Sequence, residues 1–161
     1  MHDVFAWLQS SALGTLMRDT GPWTYPVVNV VHIVGIATLF GAVLVLDLKL
    51  LGAWRRAPLD VIATAASPVA VAGFGLAVAS GTCLLAANAV DYQDNPFLLT
   101  KFAAIGSGLL NAVTLRRTAA WRARATRQLS RSEERRLALI GGISLVSWTV
   151  AIAAGRMIGY W

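Results

Sequence analysis

The chain has 161 residues, of which 57% are apolar and only 14% charged, with a formal charge of +6 and a mean hydropathy of +0.62. Such a composition is far too apolar for a water-soluble domain of this size, and a lone cysteine, Cys83, excludes an internal disulfide framework. The solvent this sequence asks for is a lipid bilayer.

In chain order, Asp3 to Arg18 comes first and reads as an amphipathic helix, with Val4, Phe5, Leu8, Ala12 and Leu16 at helical spacing. A secretory leader would need a basic start and an unbroken apolar run. Here the segment opens on His2 and Asp3 and is interrupted by Gln9, Ser10 and Ser11, so it is expected to lie along the membrane surface.

Four apolar stretches follow, each close to or above the roughly 20 residues that span about 30 Å of hydrocarbon. They are predicted near 26–51, 65–88, 97–115 and 137–160, separated by Gly52 to Pro58, by Asp91 to Pro96, and by a long arginine-rich loop. The fold class is therefore all-α: one integral-membrane four-helix bundle, preceded by an interfacial helix.

Short loops rich in Lys and Arg stay in the cytoplasm. The first connection carries Arg55 and Arg56, and the third carries Arg116, Arg117, Arg122, Arg124, Arg127, Arg131, Arg135 and Arg136, whereas the middle one holds only Asp91 and Asp94. Both termini should then face outward, into the periplasm of a bacterial inner membrane. The basic balance reports topology and contact with anionic lipid heads rather than with nucleic acid. Trp7, Trp23, Tyr25, Tyr92, Tyr160 and Trp161 fall at the outer boundary, where aromatic rings anchor.

Small residues encode the packing. Ala66, Ala70, Gly73, Ala77 and Gly81 form a smooth ridge on the second span; Gly141, Ser144, Gly155 and Gly159 recur on the fourth, interrupted by Trp148. The third offers a mildly polar stripe of Thr100, Ala104, Ser107, Asn111 and Thr114. Near the inner end of the first span, Lys49 is expected to snorkel and Asp47 to meet Arg55, Arg116 or Arg117.

Ionisable groups inside a membrane are costly, so they are the candidates for function. Asn29 and His32 lie one to two turns into the first span, Lys101 one turn into the third, and Arg156 one turn before the end of the fourth, all in the outer leaflet. An imidazole, an ammonium and a guanidinium with no carboxylate beside them favour an anion over a cation or a proton path. Three readings follow. In one, His32 ligates a haem b iron, Lys101 and Arg156 pair with the propionates, Gly35 leaves room for the macrocycle and Met157 supplies a sixth ligand. In another, the same groups hydrogen-bond a quinone or an anionic lipid head. In the last, Lys101 and Arg156 snorkel to the surface while His32 bonds within the bundle.

No Walker loop, dinucleotide fingerprint or HExxH pair is present. The working expectation is a small, redox-associated membrane subunit of electron transport without independent catalysis. The alternatives are a non-catalytic accessory subunit packed against a larger respiratory or photosynthetic membrane complex, and a transporter of a small solute or copper; the expected partners are the bilayer and other membrane subunits or further copies of the chain.

The runs WLQSSALGTLM and YPVVNVVHIVGIATLFGAVLVLDLKLLG, with NPFLLTKFAAIGSGLLNAV and AGRMIGY later, resemble an uncharacterised family of small four-helix bacterial inner-membrane proteins. The resemblance covers most of the chain outside the inner loops and implies the same bundle, with no activity attached. A looser similarity to copper-resistance D proteins and b-type cytochrome bundles implies His32 as a ligand. Those cytochromes use histidine pairs, and His32 has no such mate in these spans.

Overall fold

The computed structural model describes residues 2–161 and is all-helical among them. Helices α1 (His2–Ser10) and α2 (Ala12–Asp19) precede four long helices: α3 (Thr24–Leu50), α4 (Leu59–Ala87), α5 (Pro96–Arg117) and α7 (Arg131–Met157). Between the last two lies a short helix, α6 (Ala119–Ala123). Each of the four long helices is apolar enough to cross a bilayer, α7 counted together with the 3-10 turn Ile158–Tyr160 that extends it. Their exposed surface bears this out: Leu99, Leu110 and Leu139 are 74%, 71% and 71% exposed, a disposition that water would penalise and lipid tails accept.

The helices pack in the order α4, α3, α7, α5, with the pairs α3/α4 and α5/α7 most extensively joined. Backbone proximity holds α3 to α4. A Cβ built on Gly73 would fall 2.4 Å from the Leu39 amide nitrogen, and one on Gly35 would fall 2.7 Å from that of Ala77. The small-residue ridge expected on the second span is this contact.

Polar side chains hold α5 to α7. Ser107 and Ser147 share a hydrogen bond at 3.0 Å, and the Asn111 amide donates to the Ile140 carbonyl at 2.9 Å. Of the stripe predicted on this helix, Thr100 and Thr114 instead point outward and bond carbonyls of their own helix. Because intramembrane hydrogen bonds average well under the value expected from hydrocarbon transfer, Asn111→Leu should cost only about 1 kcal/mol, read as a small fall in thermal midpoint in detergent.

At the arginine-rich end the two pairs close over one apolar cluster of Leu50, Ala63, Leu115, Ala120, Trp121, Leu137 and Ile140. Helix α3 stops there in a Schellman turn: Gly52, at φ 103°, donates to the Lys49 carbonyl and Ala53 to that of Leu48. Helix α6 is folded back under this cluster, its Thr118 hydroxyl accepting the Trp121 amide at 3.1 Å. Ser130 and Glu133 form a capping box that starts α7, and Arg127 pairs with the same Glu133 at 2.6 Å.

Three expectations need correction. The N-terminal segment is two helices, because the Ser11 hydroxyl accepts the Gly14 amide and starts a new one. These helices dock over the end of α4: Arg18 donates to the Ala87 and Gln9 carbonyls at 3.1 and 2.9 Å, and the Gln9 side chain accepts the Val90 amide at 2.8 Å. They satisfy orphan carbonyl and amide groups that a membrane helix cannot leave open.

Second, α4 begins at Leu59, one to two turns before the expected boundary, with Asp60 tied to Arg124 at 3.1 Å. Third, Asp47 meets no arginine. It is 2% exposed against α7, where Gly141 lets the α3 backbone approach; the Ser144 hydroxyl faces its carboxylate and Oδ2 has no partner. Arg55 lies in the loop after α3, and Arg116 and Arg117 close the last turn of α5; among the described residues none of them pairs with the carboxylate. Since an unpaired buried charge contributes nothing to packing, Asp47→Asn should leave the thermal midpoint in detergent unchanged or raised. A loss above about 1 kcal/mol would show that the charge itself is used.

Candidate functional site

His32 lies on the face of α3 turned to α4. Its Nδ1 is 3.1 Å from the Ser80 Oγ, and the Ser80 hydroxyl is itself committed as a donor to the Leu76 carbonyl at 2.6 Å. The Ala77 carbonyl flanks the same ring. Gly81 supplies the room for it: a Cβ there would come 2.8 Å from Cε1, 3.3 Å from Nδ1 and 3.7 Å from Nε2. The imidazole is half-buried, and Nε2 has no protein partner among the described residues and is not buried.

Lys101 comes from the other helix pair. Its side chain runs over Gly155 of α7, whose missing Cβ would sit 3.5 to 3.6 Å from Cε, Cδ and Nζ. The two ion pairs found among the described residues, Arg124 with Asp60 and Arg127 with Glu133, are both at the opposite end of the bundle. Lys101 has no carboxylate partner among the described residues. The imidazole packs on α4 at Ser80 and Gly81, and the lysine on α7 at Gly155.

The remaining candidates separate from them. Arg156 is exposed, stacks over the Tyr160 ring at 4.5 Å and donates to its hydroxyl, so it is engaged at the end of α7 rather than with Lys101. Asn29 is exposed and has no hydrogen-bond partner among the described residues. Met157 is 42% exposed and turned outward. Gly35 does not open a space: the α4 backbone at Ala77 fills it. A macrocycle therefore does not fit where it was expected. Among the described residues no three His, Cys, Asp or Glu side chains converge.

The partners of His32 were half visible in the sequence. Gly81 belongs to the ridge, but Ser80 beside it carried no signal, since one serine in an apolar helix usually bonds its own backbone.

A family model for a family of unknown function, DUF6644, matches residues 4–161. The chain belongs to that family. No curated protein and no solved structure matches it, so the looser similarity to copper-resistance D proteins and b-type cytochromes has no support. Family membership covers all four long helices and both site residues, His32 and Lys101.

Proposed function

We propose that this protein is a small inner-membrane subunit that holds a quinone-type or anionic lipid head group in the outer leaflet, between His32 and Lys101. The observation that carries this reading is the Lys101 ammonium, which lies in the second turn of α5 with no carboxylate partner among the described residues. A desolvated ammonium needs an acceptor oxygen, and three donors leave room for a carbonyl or a phosphate. A head group entering sideways from lipid would meet an apolar surface until it reached these two polar side chains. On addition of duroquinone to the detergent-solubilised protein, saturable quenching of tryptophan fluorescence is expected, and it should be lost in Lys101→Met. Quenching that stays linear in wild type would contradict the reading.

The orientation rests on charge. Exposed Arg55, Arg56, Arg116, Arg117, Arg122, Arg131, Arg135 and Arg136 crowd one end of the bundle, whereas the other end has Asp91 and Asp94 in its connecting loop. We place the arginines in the cytoplasm and both termini outside, with Val4, Trp7, Leu16 and Trp23 in the outer head-group layer. In a Cys83→Ala background, a membrane-impermeant thiol reagent applied to intact spheroplasts should label Asp94→Cys and spare Thr126→Cys. The reverse pattern would invert the topology.

One observation favours a second role, as an accessory subunit in a larger membrane complex. An open groove of about 410 Å³ runs between α5 and α7 on their outward side, lined by Leu99, Thr100, Ala103, Val146 and Val150. Stoichiometric co-purification with larger subunits after mild extraction would support that role.

A further inference from the structure

We infer that the site selects a ligand whose oxygen carries a proton, so that within the quinone class it binds the hydroquinone more tightly than the quinone. The inference rests on the head-group reading above and adds to it the direction of the hydrogen bond at His32.

The direction follows from Ser80. A hydroxyl has one proton, and that of Ser80 is spent on the Leu76 carbonyl at 2.6 Å, with the Ala77 carbonyl next at 3.4 Å. Toward His32, 3.1 Å away, the Ser80 Oγ is left to act as an acceptor, so Nδ1 must carry the ring proton. Neutral imidazole has one ring proton, which leaves Nε2 as a bare lone pair. That nitrogen is the ring atom standing farthest from Gly81 of the three in contact, and no protein donor fills it among the described residues.

Lys101, the other group of the proposed site, has the opposite character. Lys101 presents only donors, and no acceptor is hydrogen-bonded to them among the described residues. A phenolic hydroxyl satisfies the imidazole by donating its proton to Nε2, and its oxygen keeps lone pairs that an ammonium donor can use. A quinone carbonyl satisfies Lys101 alone and leaves the imidazole lone pair without a partner in an apolar medium, where such a vacancy is costly. A fully deprotonated phosphate suffers the same mismatch. The selectivity therefore resides in His32 and Ser80, and the general affinity in Lys101.

The test uses the full chain in detergent under anaerobic conditions, with duroquinol and duroquinone as probes and dissociation constants read by calorimetry. Wild type is expected to bind duroquinol roughly tenfold more tightly, the ratio one well-made hydrogen bond gives. His32→Leu should bring the two affinities together. Ser80→Ala keeps the ring but frees the tautomer, and should reduce the preference severalfold. Equal affinities in wild type, both lost in Lys101→Met, would overturn the inference and leave the head-group site standing. Binding of neither probe to wild type would overturn both. A preference that survives His32→Leu and Ser80→Ala would place the donor-seeking group elsewhere and overturn the assignment to His32.

Discussion

Replacing Gly73 by alanine should destabilise the bundle by about 1–3 kcal/mol, the usual cost of forcing a methyl into a filled contact. The added Cβ would stand 2.4 Å from the Leu39 nitrogen and 2.9 Å from its Cα, so the obstacle is the α3 backbone and no rotamer change relieves it. The two helices would have to separate, and with them the reciprocal contact of Gly35 on Ala77. Gly75 is the internal control. It lies on the same helix with nothing within 4 Å of an added Cβ, and Gly75→Ala should be neutral or stabilising by up to about 1 kcal/mol through helix propensity. Thermal unfolding in detergent, followed by circular dichroism, checks both; equal midpoints for the two variants would mean that α3 and α4 are not in backbone contact. Because His32 reaches Ser80 and Gly81 only across this interface, Gly73→Ala should also weaken whatever the site holds.

The second large effect is at Lys101. Lys101→Met keeps the length and apolar stem that cover Gly155 but removes the donors, so binding of an acceptor head group should fall at least about tenfold, the loss of one charge-assisted hydrogen bond. The fold should not suffer. An ammonium in hydrocarbon is a burden on stability, and the thermal midpoint of Lys101→Met should match or exceed that of wild type when no ligand is present. Retained binding in a stable Lys101→Met protein would remove the lysine from the site. Arg156→Gln is the matched control: its guanidinium is held by Tyr160 at the surface, and its loss should change binding little.

How much of this was legible in the sequence differs from element to element. The four long helices and their punctuation were, because hydrocarbon thickness fixes length and composition together. So was the ridge through Gly73, Ala77 and Gly81, since small residues at helical spacing have few other uses. Gly35 shows the limit of such reading: a glycine in a span marks either a vacancy or a close approach, and only the register of α3 on α4 decides that it is the second. Asp47 shows another. Sequence distance suggested an arginine partner, but the Gly141 contact draws this part of α3 onto α7 and turns the carboxylate to Ser144.

For the site, depth was readable and direction was not. Lys101 and Arg156 sit at one level of the α5/α7 pair, since Lys101 meets Gly155, yet which side chains face each other depends on helix rotation. Arg156 follows Gly155, the residue that meets Lys101, and one residue is 100° of turn, enough to send the guanidinium to Tyr160 instead. The break at Ser11 was hidden for a related reason. The apolar spacing continues through it, while the capping hydroxyl and the docking of Arg18 on α4 depend on contacts that no periodicity records.

The most direct measurement is to purify the protein in a mild detergent, extract it with organic solvent, and quantify by mass spectrometry the quinones and anionic lipids retained per chain. A head group between His32 and Lys101 predicts one such species held near one per wild-type chain, largely absent from Lys101→Met and undiminished in Arg156→Gln. Identical extracts from wild type and Lys101→Met would contradict it.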